Sequence, residues 1–219
     1  MKKLLIASVA LGCAAAVVAQ TATSANIVGY KKNVQPSAGF LIFAPAQFGG
    51  AAGGITLDDA VDGLVGGEQI FIYNGSTYDI YDYFAGYGWF DGLFNLAGGV
   101  VIPAGAGSWL SGAASSETIT AGEVPMAATV DVPVAAGFNL VANPYPVALA
   151  LDDIDVSSFT GGEQVFVYNG STYDIYDYFA GYGWFDGLFN PAGSVQVPVG
   201  EGFWLSVNSG TTLVFNKLF

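Results

Sequence analysis

The chain has 219 residues, 53% of them hydrophobic and 15% aromatic, and its 18 acidic residues against five lysines give a formal charge of −13. Such a balance repels phosphate backbones and anionic lipid surfaces and excludes nucleic acid as a partner. With no histidine and a single cysteine, Cys13, the usual nucleophile–base pairs, imidazole or thiolate metal sites and an intrachain disulfide framework fall away as well.

In chain order, residues 1–19 read as a cleaved signal peptide: Lys2 and Lys3, an apolar run from Leu4 to Val18, and a small residue, Ala19, at the cut. An apolar run of about 15 residues is short for a bilayer, and no basic cluster follows it, so no integral span is expected in the mature chain. Ala10-Leu11-Gly12 before Cys13 fits a lipoprotein cleavage box poorly. Cleavage leaves no cysteine and three lysines, Lys31, Lys32 and Lys217, against 18 acidic residues, a formal charge of −15. The expected destination is the exterior or surface of a Gram-negative-type bacterium.

The rest of the chain is a tandem duplication. Residues 66–95 and 161–190 are identical at 28 of 30 positions, the exceptions being Ile70/Val165 and Ile72/Val167. These are one-methylene differences that a packed β core accepts at little cost. Similarity continues through Pro103/Pro198, Gly105/Gly200, Gly107/Gly202 and Trp109/Trp204 and thins upstream. Two units are expected, 24–120 and 121–219, with 121–125 as the linker. Short Val-, Ile-, Phe- and Tyr-rich runs divided by Gly, Pro and Asn-Gly predict all-β, β-sandwich-like units. Asn74-Gly75 and Asn169-Gly170 are expected to supply the positive φ angles of hairpin turns, and these turns outweigh the match of Asn74-Gly75-Ser76 and Asn169-Gly170-Ser171 to a glycosylation sequon. The sequences around Leu57 and Leu151 predict short helical turns.

Gly137-Phe138-Asn139-Leu140-Val141-Ala142-Asn143-Pro144-Tyr145-Pro146, followed by a strand ending in Tyr168 and by Pro198-Val199-Gly200-Glu201-Gly202-Phe203-Trp204, resembles a β-module of secreted and surface proteins from Gram-negative bacteria. The stretch Ser24-Ala25-Asn26-Ile27-Val28-Gly29-Tyr30 resembles the mature N-terminus of a group of uncharacterised secreted proteins. The resemblance implies export, a sandwich-like fold and a surface or matrix role, and it brings no catalytic residues. The first unit departs from it at Phe43-Ala44-Pro45-Ala46, where the Asn-Pro-Tyr-Pro turn is missing.

For chemistry, a two-carboxylate glycoside hydrolase needs only paired acids, and Glu68, Asp79, Asp82 and Asp91 recur as Glu163, Asp174, Asp177 and Asp186. A unit of this size leaves little room for a deep cleft, and no enzyme is expected. No cofactor is expected either. Ca²⁺ is the one metal this residue set suits, with Asp91, Asp186, Asp82 and Asp177 as its ligands. The competing reading, that these carboxylates keep an aromatic hairpin soluble, carries more weight. Aromatic density points to contact surfaces: Tyr81, Tyr83, Tyr87 and Trp89, with Tyr176, Tyr178, Tyr182 and Trp184, are the candidate interface or glycan residues. The leading expectation is a secreted structural or adhesive protein that self-associates into a layer, fibre or matrix. The alternative is a bivalent carbohydrate-binding module with Trp89/Trp184 and Tyr87/Tyr182 as platforms. An outer-membrane barrel ranks lower, because Lys217 interrupts the apolar alternation of the C-terminal strand.

Overall fold

A computed structural model describes residues 27–36, 39–49 and 53–219. The expected signal peptide, with Cys13, lies outside the described residues, as do Ser24, Ala25 and Asn26. Among the described residues the apolar, glycine-punctuated runs form 18 strands. The first unit holds β1 (Val28–Val34), β2 (Phe40–Phe43), β3 (Gly54–Thr56), β4 (Gln69–Tyr73), β5 (Tyr78–Phe84), β6 (Gly88–Phe90), β7 (Val101–Pro103), β8 (Ser108–Ser111) and β9 (Glu117–Glu123). The second holds β10 (Thr129–Val134), β11 (Gly137–Ala142), β12 (Leu149–Ala150), β13 (Gln164–Tyr168), β14 (Tyr173–Phe179), β15 (Gly183–Asp186), β16 (Gln196–Val197), β17 (Gly202–Val207) and β18 (Thr211–Asn216).

The two units share one topology, strand for strand. Each has a five-stranded antiparallel sheet, β2-β8-β4-β5-β6 or β11-β17-β13-β14-β15, a two-stranded sheet joining its first and last strands, β1-β9 or β10-β18, and a second small pair, β3-β7 or β12-β16. This is the expected all-β, sandwich-like fold. Every sheet order is open-ended, so the described strands close no barrel. No helix among the described residues is long and apolar enough to cross a membrane. The helical turns appear as α1 (Leu57–Ala60) and a 3-10 turn at Leu151–Asp153.

Alternation along the strands fills two cores. Ile70 pairs with Leu110 across β4 and β8, and both are fully buried with Leu57, Trp89 and Ile102. In the second unit Val165 pairs with Leu205 and is buried with Leu151, Trp184 and Phe203. The closing strands differ. Inward positions of β10 and β18 are Val132, Val134, Leu213 and Phe215, whereas β1 and β9 turn Asn33, Thr118 and Thr120 inward, with Gln35 just beyond β1. Asn33 Nδ2 donates to Thr120 Oγ1 at 2.8 Å, but Asn33 Oδ1, Thr118 Oγ1 and both polar atoms of the Gln35 side chain are buried without a hydrogen bond.

Local details depart from the sequence reading in three places. β9 runs through Glu123, so three of the five expected linker residues belong to a strand, and the join falls at 124–128. In the hairpins only the glycine, Gly75 or Gly170, has positive φ (97° and 95°). The loop therefore centres on Gly-Ser, and Asn74 caps it, its Oδ1 accepting from Thr77 N at 3.0 Å. Where the first unit lacks Asn-Pro-Tyr-Pro it forms a 3-10 turn, Pro45–Phe48. In the second unit Asn143 braces its turn by accepting from Tyr145 N (3.0 Å) and donating to Val147 O (2.9 Å), while the buried Tyr145 donates its hydroxyl to Ala127 O at 2.8 Å.

The units meet about a pseudo-twofold axis. Single β-bridges join Phe43 to Glu201 and Val141 to Ala106, which are corresponding positions in the two units. Ala44 N donates to Gly200 O at 3.0 Å, and Ala142 N to Gly105 O at 2.9 Å. The units approach closely enough to favour glycine: a Cβ at Gly107 would lie 2.8 Å from the backbone oxygen of Val141, and one at Gly202 2.7 Å from the Ile42 side chain and 3.3 Å from Gly107 Cα.

Candidate functional site: paired apolar tips and a shared aromatic face

At the outer edge of each five-stranded sheet the chain makes a tight loop after β6 or β15. Asp91 organises the first: its Oδ1 accepts from Leu93 N and Asn95 N, both at 2.9 Å, and its Oδ2 accepts from Asn95 Nδ2 at 3.0 Å. Asp186 does the same with Leu188 N at 2.9 Å, Asn190 N at 2.8 Å and Asn190 Nδ2 at 2.9 Å. Hydrogen bonds from the Asn95 side chain, then from backbone amides, hold the Asp91 carboxyl below its usual range, and Asn190 does this for Asp186. The loop forces Phe94 (φ 61°) and Phe189 (φ 60°) into the left-handed region. This conformation costs a non-glycine residue about 1–2 kcal/mol. The side chains so placed face water: Leu93 is 83% and Phe94 74% exposed, Leu188 82% and Phe189 73%.

The aromatics singled out by the sequence divide between inside and outside. Tyr87 and Tyr182 are exposed in the turns joining β5 to β6 and β14 to β15. Trp89 and Trp184, 1% and 2% exposed, are core residues, which removes them as sugar platforms. The reason is cross-strand packing. Trp89 opposes Tyr83 on the inward face of β5–β6, with ring centroids 5.2 Å apart, and Trp184 opposes the buried Tyr178 at the same distance. Tyr81 and Tyr176 are half-buried against the two cores, and burial pushes their hydroxyls above the usual value.

The acidic residues are likewise engaged locally. Asp82 and Asp177 each accept from the cross-strand Gln69 or Gln164 Nε2 at 2.7 Å. Asp79 accepts from Asn74. Glu68 is buried and accepts from Val65 N and Gly66 N at 3.1 and 2.8 Å. Glu163 is buried and accepts from Thr160 N, Gly161 N and Asn208 Nδ2 at 3.0, 2.8 and 3.1 Å. Burial opposes the charge of Glu163, and hydrogen bonds from the backbone amides, Thr160 N first, and from the Thr160 hydroxyl overcome it and hold the carboxyl below its usual value. Asp91, Asp186, Asp82 and Asp177 are not brought together: among the described residues no three His, Cys, Asp or Glu side chains converge as a metal site.

A second surface was not singled out by the sequence. The outer face of each five-stranded sheet, polar in an ordinary antiparallel sheet, is aromatic. Trp109 pairs with Phe71, and Phe71 with Ile80; Trp204 pairs with Phe166, and Phe166 with Ile175. Each sheet borrows a tyrosine from the other unit across the junction. Phe40, Phe71, Tyr78 and Trp109 with Tyr168 line one open cleft of about 490 Å³, and Phe138, Phe166, Tyr173 and Trp204 with Tyr73 line its counterpart of about 400 Å³. Edge-to-face and tilted ring contacts link all ten into a closed circuit over both units. Burial raises the hydroxyls of Tyr78 and Tyr173, against the effect of hydrogen bonds from Trp109 and Trp204. The sequence signal for this face was the even spacing Phe71, Tyr73 on one strand and Tyr78, Ile80 on the next; its partners Phe40 and Trp109 join only through long-range pairing.

No protein-family model, curated protein or solved structure matches the chain.

Proposed function

We propose that this chain is an exported structural or adhesive protein that self-associates through its paired apolar tips. The observation that carries the reading is the conformation of Phe94 and Phe189: each is held in the left-handed region by a dedicated aspartate and leaves its ring mostly exposed beside Phe84 or Phe179. Burying Leu93 and Phe94 against a neighbour recovers apolar area at about 25 cal/mol per Å². One molecule presents the same tip twice, so each copy can bridge two others, which is the minimum for a chain. The signal-peptide layout of residues 1–19 supports export.

The test is size-exclusion chromatography and negative-stain electron microscopy of residues 20–219 at rising concentration, with EGTA and with Ca²⁺. Oligomers or filaments are expected, and Leu93→Asp with Leu188→Asp should reduce them to monomer. A wild-type chain that stays monomeric in every condition overturns the reading.

A further inference from the structure

We propose that the ten-ring aromatic face is a binding platform for a neutral, β-linked polysaccharide with equatorial hydroxyls, laid across both clefts. The inference is independent of the tips, which sit at the opposite edges of the sheets from the junction.

Three features of the face select this chemistry. The first is charge: neither cleft is lined by an acidic or basic side chain. The chain's formal charge of −13 repels polyanions, and a cationic ligand would find no carboxylate in either cleft. A neutral ligand matches both facts.

The second is polarity. Besides rings, the larger cleft offers only Thr77 and Ile80, and the smaller offers nothing else. A peptide lying flat on such a face would lose water from its N–H and C=O groups without replacement, at a cost of kilocalories per group. A pyranose with equatorial hydroxyls does not face that cost. Its axial C–H bonds form two apolar faces that meet the negative face of an aromatic ring, while its hydroxyls radiate sideways and stay in water. The hydroxyls of Tyr78 and Tyr173, which line the two clefts, supply polar contacts at the rim.

The third is repetition. The two clefts repeat the same five ring types in one molecule, joined by the Tyr73–Trp204 and Tyr168–Trp109 contacts. A polymer presents its repeat many times, so occupation of one cleft raises the effective concentration of sugar at the other.

The test is depletion of the full mature chain from solution by microcrystalline cellulose and by chitin, read as a binding isotherm. Binding to at least one polymer is expected, with Trp204→Ala or Trp109→Ala alone weakening it about tenfold and the pair together at least about a hundredfold. Because both tryptophans also brace the junction, Phe40→Ser with Phe138→Ser, at the more exposed ends of the face, is the second variant and should weaken binding while the chain still unfolds in a cooperative transition. Salt at about 1 M should leave binding unchanged, as screening does not touch a neutral ligand. Leu93→Asp with Leu188→Asp should bind as the wild type does. Failure of the wild type to bind either polymer, wild-type binding by both aromatic double variants, or loss of binding in salt or in the tip variant overturns the proposal.

Discussion

Tyr73 meets Trp204 edge to face across the junction of the two units, with ring centroids 4.8 Å apart and planes at 79°. Tyr168 and Trp109 repeat the contact at 5.0 Å and 72°. The molecule is thereby a covalent analogue of a symmetric dimer, in which residue i of one half meets residue j of the other and the converse also holds. A double-mutant cycle on Tyr73→Ala and Trp204→Ala should return a coupling of about 0.5–1.5 kcal/mol, and the cycle on Tyr168 and Trp109 the same value. Chemical denaturation checks both; a coupling near zero in either pair would mean the contact does not hold the units together.

Phe94→Gly with Phe189→Gly separates stability from assembly. Each change removes a large ring yet relieves a left-handed backbone costing about 1–2 kcal/mol, which offsets the entropy that glycine adds to the unfolded chain. Stability should therefore stay level or rise by up to about 1 kcal/mol, while oligomers are lost. Thermal unfolding and size-exclusion chromatography on one sample check both halves, and a fall in stability would show that the ring contacts of Phe94 with Phe84 and of Phe189 with Phe179 outweigh the relief of the backbone.

The carboxyl of Glu163 lies below its usual value of 4.5 in the folded protein. A depressed folded value stabilises above the unfolded value and is lost as pH falls through the folded one. Unfolding midpoints should drop below about pH 4.5, and Glu163→Gln should be less stable at neutral pH with a flatter acid limb. A variant whose acid limb matches the wild type would show that this carboxylate contributes nothing to the pH dependence.

The closing strands should open unequally. β10 and β18 bury Val132, Val134, Leu213 and Phe215, whereas β1 and β9 bury Asn33 and Thr118 with polar atoms left unbonded. An unsatisfied buried group costs about 1–3 kcal/mol, so amides of β1 and β9 should exchange at least about tenfold faster than those of β10 and β18. Native-state hydrogen exchange by mass spectrometry resolves the two pairs.

The duplication, the strand-rich units and the short helical turns were legible because each rests on local pattern. The sides of the sheets were not. Strand alternation separates two faces but names neither as inner when both carry aromatics, as in Tyr78-Asp79-Ile80-Tyr81. Trp89 therefore read as a surface platform although it is core, and Trp109, seen only as a marker of the repeat, lies on the outer face. Asp91 stood as a candidate cation ligand, behind the weightier reading that these carboxylates keep the hairpin soluble. The asparagine four residues on, which takes up its oxygens, was the overlooked sign of a self-capped turn. The junction was beyond sequence reasoning, since it forms only when Gly107 and Gly202 let two completed units approach.

The near-identity of residues 66–95 and 161–190 also sets a problem for the folding chain. Each hairpin docks by laying Ile70 or Val165 beside a leucine, Leu110 of β8 or Leu205 of β17, and apart from Ile72/Val167 every other residue it presents is the same. Either hairpin is thus an acceptable neighbour for either strand, and the correct wiring depends on chain connectivity more than on side-chain fit. Between two nascent molecules that restraint is gone. Hairpin exchange between chains then satisfies the same pairings as correct folding does, so chain concentration during folding selects between a closed monomer and an interlinked pair.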